Sequence, residues 1–386
     1  MTRITDSWLT RPETQAVCAM LVENGAQALF VGGCVRNTLL AVPVNDLDIA
    51  TDALPEQVVV WAAAAKLKAV PTGIEHGTVT VISNRIPFEI TTFRQDKETD
   101  GRRAVVVFSK DITEDARRRD FTMNALYARP DGTVVDPLGG MQDLVSGHVR
   151  FIENANQRIE EDYLRILRFF RFTAWYGNPE LGFDAEALAA IAEHLEGLEA
   201  LSKERIGAEM LKLLAADDPV LAVATMRSLN VLGRVLIGAD DRALGPLVHL
   251  ENTAHIEPEP LRRLAAIGGE SPEFDLRLSK VQKRRVADLR KAATSGKTAS
   301  ELGYRYGHRL AADAILLRSA LLETAFDTEF LAAAEIGAQA KFPIKAVDLM
   351  PDVMGDALGA RLDELETRWI ASGFTLTKDD LLEGPA

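Results

Sequence analysis

The chain has 386 residues, of which 47% are hydrophobic and 26% are charged, and its formal net charge is −13. This composition indicates a globular protein with more than one domain and argues against disordered, collagen-like and coiled-coil classes. The acidic balance also argues against tight, indiscriminate binding of polyanions. The cysteines, Cys18 and Cys34, make neither a disulfide framework nor a CxxC zinc motif.

The hydrophobic segments are too short to place the chain in a membrane. The longest apolar run, Val58–Ala65, is well below the roughly 20 residues that span a bilayer. The N-terminus lacks the apolar core of a signal peptide. We therefore predict a cytoplasmic protein with no membrane association.

Two kinds of hydrophobic pattern follow each other along the chain. Short β-rich segments, punctuated by Gly, Pro and Asp, occupy about residues 26–138 and predict an α+β domain. From Asn154 onward the apolar residues recur with helical spacing, which predicts an all-α remainder. Glycine- and proline-containing breaks divide the helical part further. We expect four parts: a head over residues 1–145, a helical neck over 146–215, a helical body over 216–340 and a helical tail over 341–386.

The first motif with chemical potential is a glycine-rich turn. A predicted strand, Ala28–Val31, leads into Gly32 and Gly33, and a helix is predicted to follow. Glycines at such a turn let backbone amides approach an anion, and the helix N-terminus adds a favourable field. Arg36 is placed to clamp a triphosphate. The pattern is not GxGxxG, so by itself it fits a tight structural turn equally well.

A carboxylate pair follows the turn closely. Asp46 and Asp48 are two residues apart in a predicted strand, so their side chains point to the same face. Mg²⁺ prefers oxygen ligands and is commonly held by one or two carboxylates together with substrate phosphates. The sequence therefore predicts a magnesium site beside the phosphate-binding turn.

Two further segments are rich in charge. Arg117–Ala125 places three arginines beside Asp120 and Asn124, a set suited to the phosphates and ribose of a nucleotide. Downstream, Asp162 and Arg165 lie three apart on a predicted helix and would be neighbours on its surface. Each segment alone also fits an ordinary charged surface.

Together these segments resemble the bacterial-type (class II) family of tRNA nucleotidyltransferases and poly(A) polymerases, within the polymerase β superfamily, and most closely its CCA-adding members. The match covers roughly residues 26–215. It implies a polymerase β-like nucleotidyltransferase head with a small antiparallel sheet, followed by an all-α neck, body and tail. The only departure in the phosphate motif is Asn37, where the family has Asp.

The resemblance also implies roles for individual residues. Asp46 and Asp48 would be the catalytic metal ligands, and Glu89 is a candidate third carboxylate. The remaining nucleotide-binding residues would be Gly32, Gly33 and Arg36 for the phosphates, Arg119, Asp120 and Asn124 for the nucleotide and its ribose, and Asp162, Arg165, Arg168 and Arg171 around the base.

Base selection follows from hydrogen-bond polarity. Cytosine and adenine each present an amino donor beside a ring-nitrogen acceptor, whereas uracil and guanine present a carbonyl beside an N–H donor. Asp162 can accept from the amino group while Arg165 donates to the ring nitrogen. On an ideal helix Arg168 lies about 60° further round, whereas Arg171 lies about 180° from Asp162.

The activity implied by the resemblance is stepwise addition of C, C and A to the 3′ end of tRNA, with CTP, ATP and Mg²⁺ and without an obligate protein partner. The segment around Gly73–Val81 and the full-length loop over 94–103 resemble CCA-adding members. The chain also shows no long basic C-terminal extension of the kind expected of a poly(A) polymerase. A poly(A) polymerase, an A-adding enzyme and a non-catalytic RNA-binding scaffold remain the alternatives.

Two predictions concern the rest of the chain. Eight Lys and Arg residues lie in Arg277–Lys297 against a single acidic residue, Asp288. We expect this segment to meet the tRNA backbone, the alternative being a solvated basic face. The six histidines include no His-Asp pair, so we expect no metal-dependent phosphohydrolase domain.

Overall fold

The structure is a computed structural model and describes residues 2–99 and 104–383. The chain divides into two compact units. The first comprises Met1–Leu213 with Ser228–Arg234, and the second comprises Leu214–Arg227 with Val235–Ala386. The predicted division into head, neck, body and tail is finer than this and stays a prediction.

A seven-stranded sheet and a separate two-stranded hairpin lie in the first unit. The sheet order is β3-β4-β5-β2-β1-β8-β9, and β6 pairs with β7. The strands are β1 Leu29–Val31, β2 Asp48–Thr51, β3 Lys68–Gly73, β4 Thr78–Ser83, β5 Ile86–Thr92, β6 Arg94–Thr99, β7 Ala104–Phe108, β8 Tyr127–Ala128 and β9 Val134–Val135.

The prediction of an antiparallel sheet needs one correction, because β2 and β5 pair in parallel. Every other neighbouring pair in the sheet is antiparallel. After β2 the chain crosses over through a helix at Pro55–Ala64 and then the β3-β4 hairpin. This crossover brings the chain back to the sheet running in the same direction as β2.

Along β4 and β5, side chains alternate between the buried core and the opposite face of the sheet. Val79 and Val81 in β4 and Phe88 and Ile90 in β5 are buried, with at most 1% of each residue exposed. Since side chains alternate along a strand, Glu89 lies on the opposite face, which is left open. The sheet therefore contributes one face to the core and one to a cleft.

The rest of the described chain is mainly helical, and its last strand ends at Val135. The predicted order of an α+β segment followed by helices is thus confirmed. Short 3₁₀ turns occur at Ile74–His76, Thr122–Asn124, Leu195–Ala200 and Ala346–Asp348. The helices are α1 Ser7–Thr10, α2 Pro12–Glu23, α3 Gly33–Leu39, α4 Pro55–Ala64, α5 Ile112–Arg117, α6 Gly140–Ser146, α7 Ala155–Glu161, α8 Leu164–Tyr176, α9 Ala185–Glu193, α10 Lys203–Leu214, α11 Val220–Ser228, α12 Val231–Val235, α13 Leu244–Thr253, α14 Pro260–Ile267, α15 Pro272–Asp275, α16 Lys280–Ala293, α17 Ala299–Tyr306, α18 His308–Leu322, α19 Glu329–Gln339, α20 Asp356–Ala371 and α21 Lys378–Leu382.

The second unit contains a buried ionic network. Arg262 donates to Glu251 at 2.8 Å and to Asp313 at 2.5 Å, and Arg263 donates to Glu251 at 2.8 Å. Arg285 of α16 also pairs with Asp313. Because Arg262, Arg263 and Glu251 are each 1% exposed, removing Glu251 would leave buried positive charge uncompensated.

This network corrects the prediction for the basic segment. The helix is shorter than the segment, spanning Lys280–Ala293, and Arg285 is turned inward to Asp313. Lys280, Arg284 and Lys291 are exposed and fall within about 40° of one another on the helix, so they form a stripe.

No helix in the described residues is long and apolar enough to cross a membrane.

Candidate active site

The glycine turn leads directly into α3. Gly32 adopts a φ of +68°, a conformation that side-chain-bearing residues rarely take, and its carbonyl accepts the Arg36 amide at 2.9 Å. A Cβ at position 32 would lie 3.5 Å from Arg119 Nη1. The turn therefore lies next to a guanidinium from a distant part of the sequence.

Arg36 is buried beside this turn among neutral partners. Its guanidinium donates to Asn37 at 2.8 Å, to Asn124 at 2.5 Å and to the Tyr176 hydroxyl at 2.9 Å. It also lies 4.2 Å from the Tyr176 ring centroid. None of the ion pairs in the described part of the chain involves Arg36, so its charge is held in place without being neutralised by a direct partner.

Asn37 explains how the departure from the family motif is accommodated. Its Oδ1 accepts from two nitrogens of Arg36, at 3.1 and 2.8 Å, and its Nδ2 donates to the Pro43 carbonyl at 2.9 Å. A carboxylate at this position could accept from Arg36 but could not donate to Pro43. The amide therefore orients Arg36 while leaving its positive charge available to an anion.

The carboxylates predicted to bind a metal lie at the open face of the sheet. Asp48 begins β2, and it is directly opposite Glu89 in β5, which in turn is opposite Thr80 in β4. Asp46 was predicted within the strand but precedes it. All four residues line one cleft of about 390 Å³.

The electrostatics of this cleft fit a cation site. Burial and the neighbouring Glu89, with a smaller effect of Asp46, raise the pKa of Asp48 to about 6, while Arg119 acts in the opposite direction. Within residues 2–99 and 104–383, no group of three or more His, Cys, Asp or Glu side chains lies close enough together to hold a metal ion. The donor set therefore suits an ion that takes its other ligands from a substrate.

A buried hydrogen-bond chain joins the predicted ribose-binding residues to the phosphate turn. Arg168 donates to Asp120 Oδ2 at 2.7 Å, Asn124 donates to Asp120 Oδ1 at 2.8 Å, and Arg36 donates to Asn124. Burial alone would raise the pKa of Asp120, but Arg168 and Asn124 outweigh it and lower the pKa to about 2. A ribose contact by Asp120 or Asn124 remains a prediction, since both side chains are engaged internally.

Asp115 is a buried residue of this region that the sequence did not single out. It accepts from Arg118 at 2.9 Å, from Arg119 at 3.1 Å and from the Tyr127 hydroxyl at 2.8 Å. Burial would raise its pKa, but Arg119 and Arg118 lower it to about 2. Its spacing of three and four residues from two arginines was the signal, because such pairs meet on a helix.

The prediction that Asp162 and Arg165 share a helix is wrong. Asp162 has extended backbone angles between α7 and α8, and its Oδ1 accepts from the Leu164 amide at 3.1 Å. Asp favours such helix-capping positions because its carboxylate satisfies a free amide. Its Oδ2 accepts from Arg205 of α10 at 2.6 Å, so the angles predicted from an ideal helix do not apply to Asp162.

Arg165 lies in the first turn of α8 and contacts the backbone before the nucleotide-binding segment. It donates to Glu161 at 2.6 Å, to the Arg158 carbonyl at 2.8 Å and to the Arg118 carbonyl at 2.8 Å. Arg165 thus contacts the carbonyl of the residue that precedes Arg119 in the chain. Its predicted contact with a base stays a prediction.

Arg168 and Arg171 gather around one aromatic ring together with Arg36. Their guanidinium carbons lie 5.3, 4.5 and 5.0 Å from the centroid of Phe172. Glu209 of α10 pairs with Arg171 at 2.6 Å. Arg171, which ideal helical geometry set apart from Asp162, is therefore brought beside the phosphate-turn arginine.

The predicted residues thus form two neighbouring groups. The first group is connected through hydrogen bonds or a shared ring and consists of Gly32, Arg36, Asn124, Asp120, Arg168 and Arg171, with Gly33 next to Gly32 in the turn. The second group, Asp46, Asp48 and Glu89, lines the cleft. Arg119 is close to both groups, since it lies beside Gly32 and lowers the pKa of Asp48. Asp162 accepts from Arg205, and its charge also acts on Arg168 of the first group. The predicted loop over 94–103 lies partly outside the described residues, which omit 100–103.

Comparisons with known proteins identify the family of this chain. The family model of the poly A polymerase head domain matches residues 28–150, and that of the probable RNA and SrmB-binding site of polymerase A matches residues 181–240. Mitochondrial CCA tRNA nucleotidyltransferase 1 of Mus musculus is 32% identical, covering 95% of this chain and 88% of that protein.

Bacterial relatives and structures give the same result. The CCA-adding enzyme of Lacticaseibacillus paracasei is 39% identical over 215 residues, covering 54% of this chain and 52% of that protein. The structure of the Bacillus stearothermophilus CCA-adding enzyme in complex with CTP is 26% identical and matches with a TM-score of 0.73, covering 97% of this chain and 98% of that chain. The chain belongs to the family of CCA tRNA nucleotidyltransferases.

Proposed function

We propose that this protein adds C, C and A in turn to the 3′ end of tRNA, using CTP and ATP and releasing pyrophosphate. The observation that carries this proposal is that Asp46, Asp48 and Glu89 line one cleft, while the Arg119 guanidinium lies near both Asp48 and the glycine turn. A nucleotide triphosphate can therefore reach the phosphate turn and the cleft together.

The phosphates of the incoming nucleotide would bind at the turn. Arg36 has only neutral hydrogen-bond partners, and a buried guanidinium of this kind favours an anion strongly. Backbone amides at the start of α3 add further donors, as the N-termini of helices do. Pyrophosphate would leave from the same place, its charge balanced by Arg36 and Arg119.

Asp46 and Asp48 would hold Mg²⁺, with Glu89 beside them as a third carboxylate. When bound, the ion supplies positive charge to the attacking hydroxyl and to the phosphates of the nucleotide. The fit rests on the donor chemistry of the cleft. Mg²⁺ prefers oxygen ligands, and the cleft offers three carboxylates whose mutual repulsion a cation would relieve.

The reaction itself is an in-line transfer. The 3′ hydroxyl of tRNA attacks the α-phosphorus, the bond to the bridging oxygen breaks, and pyrophosphate carries that oxygen away. No covalent enzyme intermediate is required. The residues of this chain contribute by holding the two reactants in line and by balancing charge as it moves to the leaving group.

Base choice would rest on Asp162 and Arg165, with Arg168 and Arg171 nearby. Because Asp162 is held by Arg205 at 2.6 Å, a base that donates an amino hydrogen must share this carboxylate with Arg205. We also propose that the protein acts in the cytoplasm, whereas the mouse relative is named as mitochondrial.

The proposal is tested by incubating the protein with Mg²⁺, tRNA lacking its 3′ CCA, and labelled CTP and ATP. We expect three added nucleotides and stoichiometric release of pyrophosphate. A long A tail would favour a poly(A) polymerase, a single A would favour an A-adding enzyme, and no product would favour a scaffold. Asp48→Asn serves as the inactive control, and Glu56→Gln, which changes an exposed glutamate of α4, as the matched active control.

A further inference from the structure

A cavity of about 630 Å³ is formed entirely by residues of the second unit. None of the residues assigned to catalysis or nucleotide binding contributes to it. Its wall includes Gly268, which ends α14, and Arg290 and Lys291 from the last turn of α16. The cavity is large enough for a small anion and its hydration.

One donor at this cavity has no partner. The Nη2 of Arg290 is buried and makes no hydrogen bond, whereas the other arginines of the buried network in this unit are paired. Burial lowers the pKa of Arg290, and Glu273 acts weakly in the opposite direction. A buried guanidinium nitrogen without a partner is unfavourable, so this position gains most from an added acceptor.

The backbone beside this nitrogen keeps the space open. Gly268 has a φ of +84°, which other residues rarely adopt, and a Cβ there would lie 3.6 Å from Arg290 Nη2. Any side chain at position 268 would therefore occupy the position from which an acceptor could approach the nitrogen. The glycine provides both the turn and the access.

The charges around the cavity favour an anion. Asp240 is engaged by Arg242, which donates to it at 2.8 Å, and Glu323 is exposed at the rim. The two positive charges of Arg290 and Lys291 exceed the negative charge of this single remaining carboxylate. Lys291 also belongs to the exposed stripe with Lys280 and Arg284, so positive charge continues along α16 from the cavity.

We propose that this cavity binds a phosphate group, with Arg290 Nη2 as the buried donor and Lys291 as the charge at the entrance. The stripe favours a phosphodiester of the tRNA backbone as the source, because it offers further positions for successive phosphates. That choice of source rests on the proposed function. A free inorganic phosphate has the same chemistry and is distinguished by experiment.

The first experiment measures binding of tRNA lacking its 3′ CCA to the full chain by fluorescence anisotropy, between 50 and 200 mM KCl. We expect Arg290→Gln to weaken binding roughly fivefold to tenfold and to reduce the slope of log Kd against log salt by about one phosphate contact. Arg309→Gln, which removes an exposed arginine of the same unit, is the matched control and should change both quantities less. Equal behaviour of the two variants would overturn the tRNA source.

The second experiment measures thermal unfolding while inorganic phosphate is added at constant ionic strength. Stabilisation of the unaltered chain and of Arg309→Gln, but not of Arg290→Gln, together with unchanged tRNA binding would assign the site to free phosphate. If Arg290→Gln changes neither tRNA binding nor the stabilisation by inorganic phosphate, the phosphate site itself is overturned. If Arg290→Gln does not fold, Arg290→Lys keeps the charge without the Nη2 donor and should weaken tRNA binding while leaving the salt slope unchanged. Addition of CMP and AMP by all variants at saturating tRNA separates these outcomes from failure of the proposed function.

Discussion

Asp48 and Glu89 are directly opposite each other in the parallel pair of β2 and β5, and both line the cleft that also contains Asp46. Parallel register fixes the two side chains on the same face of the sheet. The repulsion between these carboxylates disfavours the state in which all of them are charged, and an added cation relieves it. The cleft is thus built for a ligand that the chain itself does not supply.

Removing the carboxylate of Asp48 or of Glu89 should impair catalysis without impairing folding. We expect Asp48→Asn to lower the rate of CMP addition by at least about 10²-fold, because several kcal/mol of charge stabilisation is lost. In the absence of metal its melting temperature should be equal or higher. Glu89→Gln should reduce the rate less and raise the Mg²⁺ concentration for half-maximal activity. Glu56→Gln is the control, and near-normal turnover of Asp48→Asn would contradict the metal assignment.

Asp115 should act through Arg119. We expect Asp115→Asn to raise the KM for CTP more than it lowers kcat, because Arg119 loses the 3.1 Å contact that aims it. Glu114→Gln is the neighbouring control, since Glu114 makes only a surface pair with Arg117 at 3.3 Å. Asp115→Glu should recover part of the affinity. An unchanged KM in folded Asp115→Asn would show that Asp115 is only structural.

The same carboxyl groups predict how stability depends on pH. Asp115 and Asp120 have pKa values of about 2 in the folded chain, against about 3.9 when unfolded. Their contribution is therefore complete above the unfolded pKa and is lost as the pH falls through 4 towards 2, by on the order of 2–3 kcal/mol each. Chemical unfolding between pH 7 and pH 3 measures the first part of this loss, about 1 kcal/mol for each group. A profile of Asp115→Asn as steep as that of the unaltered chain would contradict it.

Base selection should depend on Asp162 and on the residue that holds it. Asp162→Ala is expected to raise the use of UTP and GTP relative to CTP and ATP by about tenfold to a hundredfold while lowering the overall rate. Arg205→Gln should shift the preference less, because it frees Asp162 without removing it. Glu160→Gln is an exposed neighbouring control. If competition among the four nucleotides gives the same preference in all these variants, the assignment of Asp162 fails.

Adjacent arginines of α16 should behave differently. Arg285→Gln is expected to destabilise the fold by on the order of 2 kcal/mol, because Asp313 loses one charged hydrogen-bond partner and keeps Arg262. Arg284→Gln should leave the melting temperature nearly unchanged, since its pair with Asp288 at 3.5 Å is exposed, yet weaken tRNA binding. Thermal unfolding and tRNA titration of both variants check this. The reverse ranking of stability would contradict the inward position of Arg285.

Much of the site could be predicted from local sequence. The two glycines, Arg36 and the Asp46–Asp48 pair were identified by spacing, because phosphate turns and metal carboxylates depend on neighbours along the chain. The parallel β2-β5 pair was not, since its direction is set by a crossover of 34 residues between Thr51 and Ile86. Local pattern contains no information about such a return path.

The misplaced helix has a different cause. Asp162 fitted a helical pattern, yet its carboxylate caps Leu164 at 3.1 Å, which gives the chain an alternative to continuing the helix. Similarly, the charge of α16 was visible in the sequence, whereas the direction of each side chain depended on Asp313 in α18. The conformation at Asp162 and the orientation of Arg285 thus depend on specific contacts that composition alone does not reveal.

The most direct test of the account is the sequence of the product made from tRNA lacking its 3′ CCA when all four nucleotides are supplied together with Mg²⁺. We predict that the unaltered chain adds C, C and A in that order and then stops, whereas Asp48→Asn adds nothing detectable in the same time. A long tail of A, incorporation of any of the four bases without preference, or equal activity of Asp48→Asn would contradict the account.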